Sequence, residues 1–192
     1  MIVAIDSNSL ISLVRYYLPF DIDNLIFDFL KQKIEEGVIV IIDKVLTECT
    51  YNSKGIVLKK LDFLNNKPFL KKSKTPYKTQ DLIAPAPSKF LRQVENQFVN
   101  NVVRRQKKLT DTEFESQKNS FLQSADMKLI IFCLNLIKNT EEEIILVTEE
   151  TEASNDNKLF KKIPAICRQV GVKTMTLPDF LKYHEAIEIC LK

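Results

Sequence analysis

Four short apolar runs, rich in β-branched residues and separated by segments of helical spacing, constrain this chain more than any other feature. They are IVAI at 2–5, VIVII at 38–42, IILVT at 144–148 and the stretch from Val172 to Met175. Uninterrupted runs of this kind mark strands buried on both faces, as parallel strands are. After the first run Ser7 can cap a helix carrying Leu10, Ile11, Leu13, Val14 and Tyr17, which Pro19 ends. Leu25, Ile26, Phe29, Leu30 and Ile34 make one stripe of a helix over 21–36, and Gly37 follows where helices commonly close. Asp43 can cap a third helix, KVLTECTYN, and the apolar spacing from Ala125 to Asn139 gives a fourth. Pro164 can open IPAICRQV, closed by Gly171, and Pro178 can open a terminal helix to Leu191.

This alternation predicts an α/β three-layer sandwich around a central parallel sheet of four to five strands. The exception is the middle. From about Leu58 to Gln123 there is no strand pattern, only helical periodicity and a proline-marked loop at 74–88, which leads into a helix from Ser88 to about Lys108. Residues 1–192 are therefore expected to form one domain with a basic helical insertion at about 59–118.

Charge makes that insertion conspicuous. Fourteen Lys and Arg face six Asp and Glu between 59 and 118, a surplus of eight in a chain whose net charge is +3, so the remainder carries −5. A basic segment set against an acidic remainder implies a polyanion-binding surface beside a carboxylate-rich centre, or simply a solvated lysine-rich helix face. No apolar run approaches the ~18 residues of a membrane span. No basic segment precedes the apolar N-terminus, so a cytoplasmic location is expected. Cys49, Cys133, Cys167 and Cys190 are far apart and read as small buried apolar side chains. His184 is the single histidine, which excludes a two-histidine metal site and leaves carboxylates as the expected chemical agents.

In open parallel sheets ligands bind beyond the carboxyl ends of the strands. Acids recur there: Asp6 directly follows the first run, Glu48 lies one turn into the helix after the second, and Glu149 and Glu150 follow the third. Asp126 stands in the first turn of the helix before that third run. Favourable interaction with helix N-termini accounts for Asp126 and in part for Glu48. Asp6 ends a strand expected to be central, where an acid needs a partner or a metal.

With these residues in view, IVAIDSNSLI, the Glu48 of VLTECTY, SADMKLIIFCL around Asp126 and the LVTEE of 146–150 resemble the four motifs of PIN domains, in their order. VTEETEASNDNKLFKKIPAICRQVGVKTMTLPDFL further resembles the PIN-like subfamily called domain of unknown function 4411, many members of which look like toxin ribonucleases of toxin–antitoxin pairs. The resemblance implies a parallel sheet of order 3-2-1-4-5 and a metal-dependent ribonuclease site at its carboxyl edge. Asp6, Glu48 and Asp126 correspond to the first three acids, and Glu150 to the fourth, with Glu149 adjacent and able to take its role. Ser7 and Thr148 match hydroxyl positions that orient the acids or the attacking water.

On this reading Asp6, Glu48, Asp126 and Glu150 are catalytic, Asp6, Asp126 and Glu150 hold metal, and Ser7, Thr148 and Glu149 support them. Four acids without histidine or paired cysteine match Mg2+ or Mn2+ and argue against zinc. Lys71, Lys72, Lys74, Arg104 and Arg105 are candidates for tracking RNA, with Tyr77, Phe69 or Phe90 available for stacking. The implied partners are RNA, an antitoxin protein and a second copy of the chain. Two alternatives stay open. Because the fourth motif carries Glu, the scaffold could bind RNA or a partner without cutting. A phosphoryl-transfer domain using the first-strand Asp would want an acid two positions on, where Asn8 stands.

Overall fold

The computed structural model describes residues 1–151 and 157–184. Its centre is an all-parallel sheet of β1 (Ile2–Ile5), β2 (Ile39–Val40), β3 (Ile144–Val147) and β4 (Lys173–Met175), in the order β2-β1-β3-β4. In β1 Val3, Ala4 and Ile5 are all buried, as are all four residues of β3. Successive strand residues point to opposite faces, so both faces of the sheet are covered and the molecule is a three-layer α/β sandwich.

The helices described are α1 (Ser7–Ser12), α2 (Leu25–Glu35), α3 (Asp43–Tyr51), α4 (Ile56–Lys60), α5 (Lys67–Lys72), α6 (Pro87–Gln93), α7 (Asn101–Gln106), α8 (Asp111–Leu122), α9 (Ala125–Asn139), α10 (Ile163–Val170) and α11 (Leu177–Tyr183). The sheet is held from below by α9, where Met127, Leu129, Ile130 and Cys133 are wholly inaccessible to solvent. Each large side chain buried in this way contributes ~1.5–3 kcal/mol. Gly171 closes α10 with φ +78, a left-handed backbone open to glycine at no cost. No single helix among the described residues is long and apolar enough to cross a membrane.

Several local expectations are corrected. Asp6, not Ser7, is the N-cap of α1, because its carboxylate reaches the Ser9 amide while Ser7 already has helical backbone. That helix does not end cleanly before Pro19: it widens into a π-turn over Leu13–Tyr17 and tightens into a 3-10 turn over Leu18–Phe20. The helix expected over 21–36 begins only at Leu25. The second strand shrinks to two residues, with Ile42 still extended before α3 starts at Asp43.

A fifth strand does not form among the described residues. Instead Tyr77 makes one parallel bridge to Ile42, donating its N–H to the Ile41 carbonyl and accepting from the Asp43 N–H. Val3 takes the Val38 carbonyl from the other side. Carbonyls an odd number of residues apart point to opposite edges of a strand, so Tyr77 lies on the edge of β2 away from β1. The helix expected from Ser88 to Lys108 is broken: α6 passes into a π-turn over Val94–Phe98, Val99 is extended, and Asn100 caps α7. The terminal helix is described to Tyr183, and its expected continuation to Leu191 lies outside the described residues, as does Cys190.

Candidate functional site

Parallel register puts the first two site residues side by side. Ile5 of β1 is opposite Val147 of β3, so the next residues, Asp6 and Thr148, leave the carboxyl edge together. The Asp6 N–H still donates to the Val147 carbonyl at 3.1 Å. The Thr148 hydroxyl donates to Asp6 Oδ2 at 2.7 Å, and the Ser9 amide donates to Oδ1 at 2.6 Å. Asp6 is only 3% exposed. Burial raises its carboxyl above the usual 3.8 despite those hydrogen bonds, and the neighbouring charge of Glu150 adds to the rise.

Thr148 has a second task. Its oxygen accepts from the Glu150 N–H at 3.1 Å, which ties the third strand's acid to the first strand's. Glu48 is held from the other side, where α3 packs on α1 and the Ser7 hydroxyl donates to Glu48 Oε2 at 2.7 Å. Asp126 stands at the second position of α9, whose start is capped by Ser124. Its carboxyl is pushed up to about 7, first by burial and then by the charges of Glu150, Glu48 and Asp6, with Lys158 opposing. Four acids from four separate segments thus act on one another. No hydrogen bond from a described residue offsets the burial of the Asp126 carboxylate.

The two acids of the fourth motif part company. Glu149 Oε1 accepts from the Leu177 N–H at 2.7 Å, at the start of α11, whereas Glu150 lines the cleft with Asp126. Glu150 Oε2 accepts from the Ile163 N–H at 3.0 Å, at the start of α10, and its Oε1 lies 3.8 Å from Lys158 Nζ. Both acids therefore satisfy orphan amides of following helices, and only Glu150 also joins the cluster.

Among the described residues no group of three or more Asp, Glu, His or Cys side chains is closed up as a metal-holding set. The donor chemistry nonetheless suits a hard cation, because magnesium keeps several waters and takes only one or two carboxylates. Asp126 is half-buried, faces three like charges and has no hydrogen-bond donor among the described residues, an environment that a cation would relieve. Cysteine chemistry has no place here. Cys49 lies near Glu48 and Asp6, and burial together with those charges pushes its thiol up to about 12. Cys133 and Cys167 are buried thiols as well. His184 packs among Phe29, Phe180 and Tyr183.

A cleft of about 350 Å³ opens in front of Asp126 and Glu150, and its lining also includes Lys107, Lys158, Lys161 and Phe121. The insertion reaches it through an antiparallel bridge between Val99 and Phe160, in which Asn100 N–H donates to Leu159 O at 2.7 Å and Lys161 N–H to Phe98 O at 2.8 Å. Lys107 belongs to the basic stretch whose cations were expected to track RNA, whereas Phe121, Lys158 and Lys161 were not singled out by the sequence. The signal was present in the run KLFKK at 158–162, where basic and aromatic residues interleave after the fourth acid.

The other basic residues that were singled out lie elsewhere. Lys71 and Lys72 are on α5 and Lys74 just beyond it, all exposed, and Lys72 pairs with Glu35 at 2.8 Å. Arg104 lies over the Phe114 ring at 3.8 Å and 3.3 Å from Asp111, and Arg105 is exposed on α7. Of the expected stacking aromatics, Phe69 and Phe90 are buried and Tyr77 packs on Phe132.

Residues 83–187 match the family described as Domain of unknown function (DUF4411), just over half of the chain, and the chain belongs to that family. The match takes in Asp126, Thr148, Glu149 and Glu150, while Asp6, Ser7 and Glu48 precede it. Comparison with curated proteins and with solved structures gives no match.

Proposed function

We propose that this protein is a PIN-like, metal-dependent endoribonuclease, acting as the toxin of a toxin–antitoxin pair in the cytoplasm. The observation that carries the reading is the convergence of Asp6, Glu48, Asp126 and Glu150 at the carboxyl edge of the two central strands, linked through Thr148 and Ser7. Bound Mg2+ or Mn2+ would supply a water of lowered pKa and Lewis-acid relief of charge on the phosphodiester. Asp6 and Asp126 would be its principal ligands, with Glu150 and Glu48 contributing beside them.

The chain's own residues do the remaining work. Thr148 and the Ser9 amide fix both oxygens of Asp6, so that carboxylate need not reorganise when substrate arrives. Ser7 aims Glu48 in the same way. Without metal, burial and the neighbouring acids push the Asp126 carboxyl up to about 7, and a bound cation would hold it ionised as a ligand. RNA cleavage with magnesium, manganese or EDTA tests the reading. Cleavage restored by either metal and abolished by EDTA is expected, and identical patterns in all three would refute it.

A second reading, a PIN-like module that binds RNA or a partner without cutting, draws on one observation. Glu150 is already engaged by the Ile163 amide and by Lys158. Saturable binding of Mn2+ without cleavage would favour it. The toxin assignment predicts a short neighbouring reading frame whose product suppresses the activity, and a homodimer is the expected assembly.

A further inference from the structure

The remainder of the cleft lining is itself built for a ligand. Phe121 of α8 is half-buried and stacks flat on Phe160, with ring centres 4.1 Å apart and planes within 4°. Phe160 is 8% exposed and is backed by Phe114, 6.3 Å away, which in turn lies under Arg104. The Phe121 ring is thus braced from behind in one orientation while lining open space. Beside it Lys107 and Lys161 are exposed, with no ion pair among the described residues. Lys158 is 59% exposed and reaches Glu150 only at 3.8 Å, too long for a hydrogen bond.

A braced aromatic face next to exposed Lys107, Lys158 and Lys161 in one cleft matches one ligand chemistry, a flat base attached to phosphates. We propose that this lining is a nucleotide subsite in which Phe121 stacks the base of an unpaired strand and Lys107, Lys158 and Lys161 hold the flanking phosphates. It deepens the nuclease reading and rests on it for the acids of the same cleft. Bases in a duplex are stacked and paired already, so only a single-stranded segment presents a free face. The subsite exists because the Val99–Phe160 bridge brings the insertion's α8 against the segment following β3. Neither half makes it alone.

The test is equilibrium binding of a short fluorescein-labelled oligouridylate and of its abasic analogue, with calcium replacing magnesium and manganese so that binding is read apart from cleavage. Phe121→Ala should weaken the oligouridylate roughly tenfold or more and leave the abasic strand unchanged. Phe121→Trp should restore binding, which separates stacking from loss of fold. Lys158→Ala should weaken both strands and reduce the salt slope by about 0.7. Equal loss for both strands in Phe121→Ala, or an unchanged slope in Lys158→Ala, would overturn the subsite. If the wild type binds in this pattern yet cleaves no RNA, the subsite stands and the nuclease reading falls.

Discussion

Replacing Asp126 by Asn should stabilise the metal-free protein at the same time as it removes activity. Burial and the charges of Glu150, Glu48 and Asp6 raise the Asp126 carboxyl from 3.8 to about 7. A carboxyl raised by folding binds its proton more tightly in the native state than in the unfolded chain. Stability therefore falls as pH rises through the window from 3.8 to about 7, and the whole penalty is present above it. At about 1.36 kcal/mol per pH unit the ceiling is about 4 kcal/mol. Asp126 borders an open cleft, so water screens part of the repulsion and about 2 kcal/mol is the expected gain in the Asn variant. Urea unfolding in EDTA, at about pH 8 and about pH 4.5, reads it directly. The gain should appear at the higher pH and shrink towards nothing at the lower. A variant less stable than wild type at about pH 8, or one equally stabilised at both, would refute the reasoning.

The other predictions concern groups around this acid. Thr148→Val removes the hydroxyl from buried Asp6 and should cost about 1–3 kcal/mol at neutral pH, less once Asp6 is protonated, as measured by urea unfolding across pH. Burial works to raise the Asp43 carboxyl, but the Thr79 hydroxyl and amide, the Lys44 amide and the Lys78 charge together outweigh it and hold it below 3.8. Its contribution is present above that value and is lost as acid is added, so Thr79→Val should cost about 1 kcal/mol at neutral pH and progressively less as the pH falls below 3.8. Manganese should raise the melting temperature of the wild type and leave that of Asp126→Asn unchanged, as read by differential scanning fluorimetry.

The sheet was legible in the sequence because buried parallel strands need continuous apolar runs. Ile2–Ile5 and Ile144–Val147 fall where those runs stand, and α9 spans the expected Ala125–Asn139. What failed was local backbone chemistry. Asp6 and Ser7 are both competent caps, and only the reach of the Asp6 carboxylate to Ser9 decides between them. The break at Val99 follows from its antiparallel bridge to Phe160, a partner 61 positions away in sequence that no local periodicity reveals.

The site was legible in part for the same reason. Asp6 and Thr148 are neighbours by strand register, which follows from the sheet order once the strands are assigned. The separation of Glu149 from Glu150 was not legible, because it depends on where α10 and α11 begin relative to the end of β3. Lys158 and Lys161 were missed because charge was counted over 59–118, whereas the cleft draws these two from beyond β3 and only Lys107 from the basic stretch.

The most direct test of the account is the single-turnover rate of RNA cleavage in saturating manganese for wild type, Asp6→Asn and Asp126→Asn, each checked for native circular dichroism. The account predicts cleavage by the wild type and at least a hundredfold loss in both variants. Cleavage by either folded variant at the wild-type rate would contradict it.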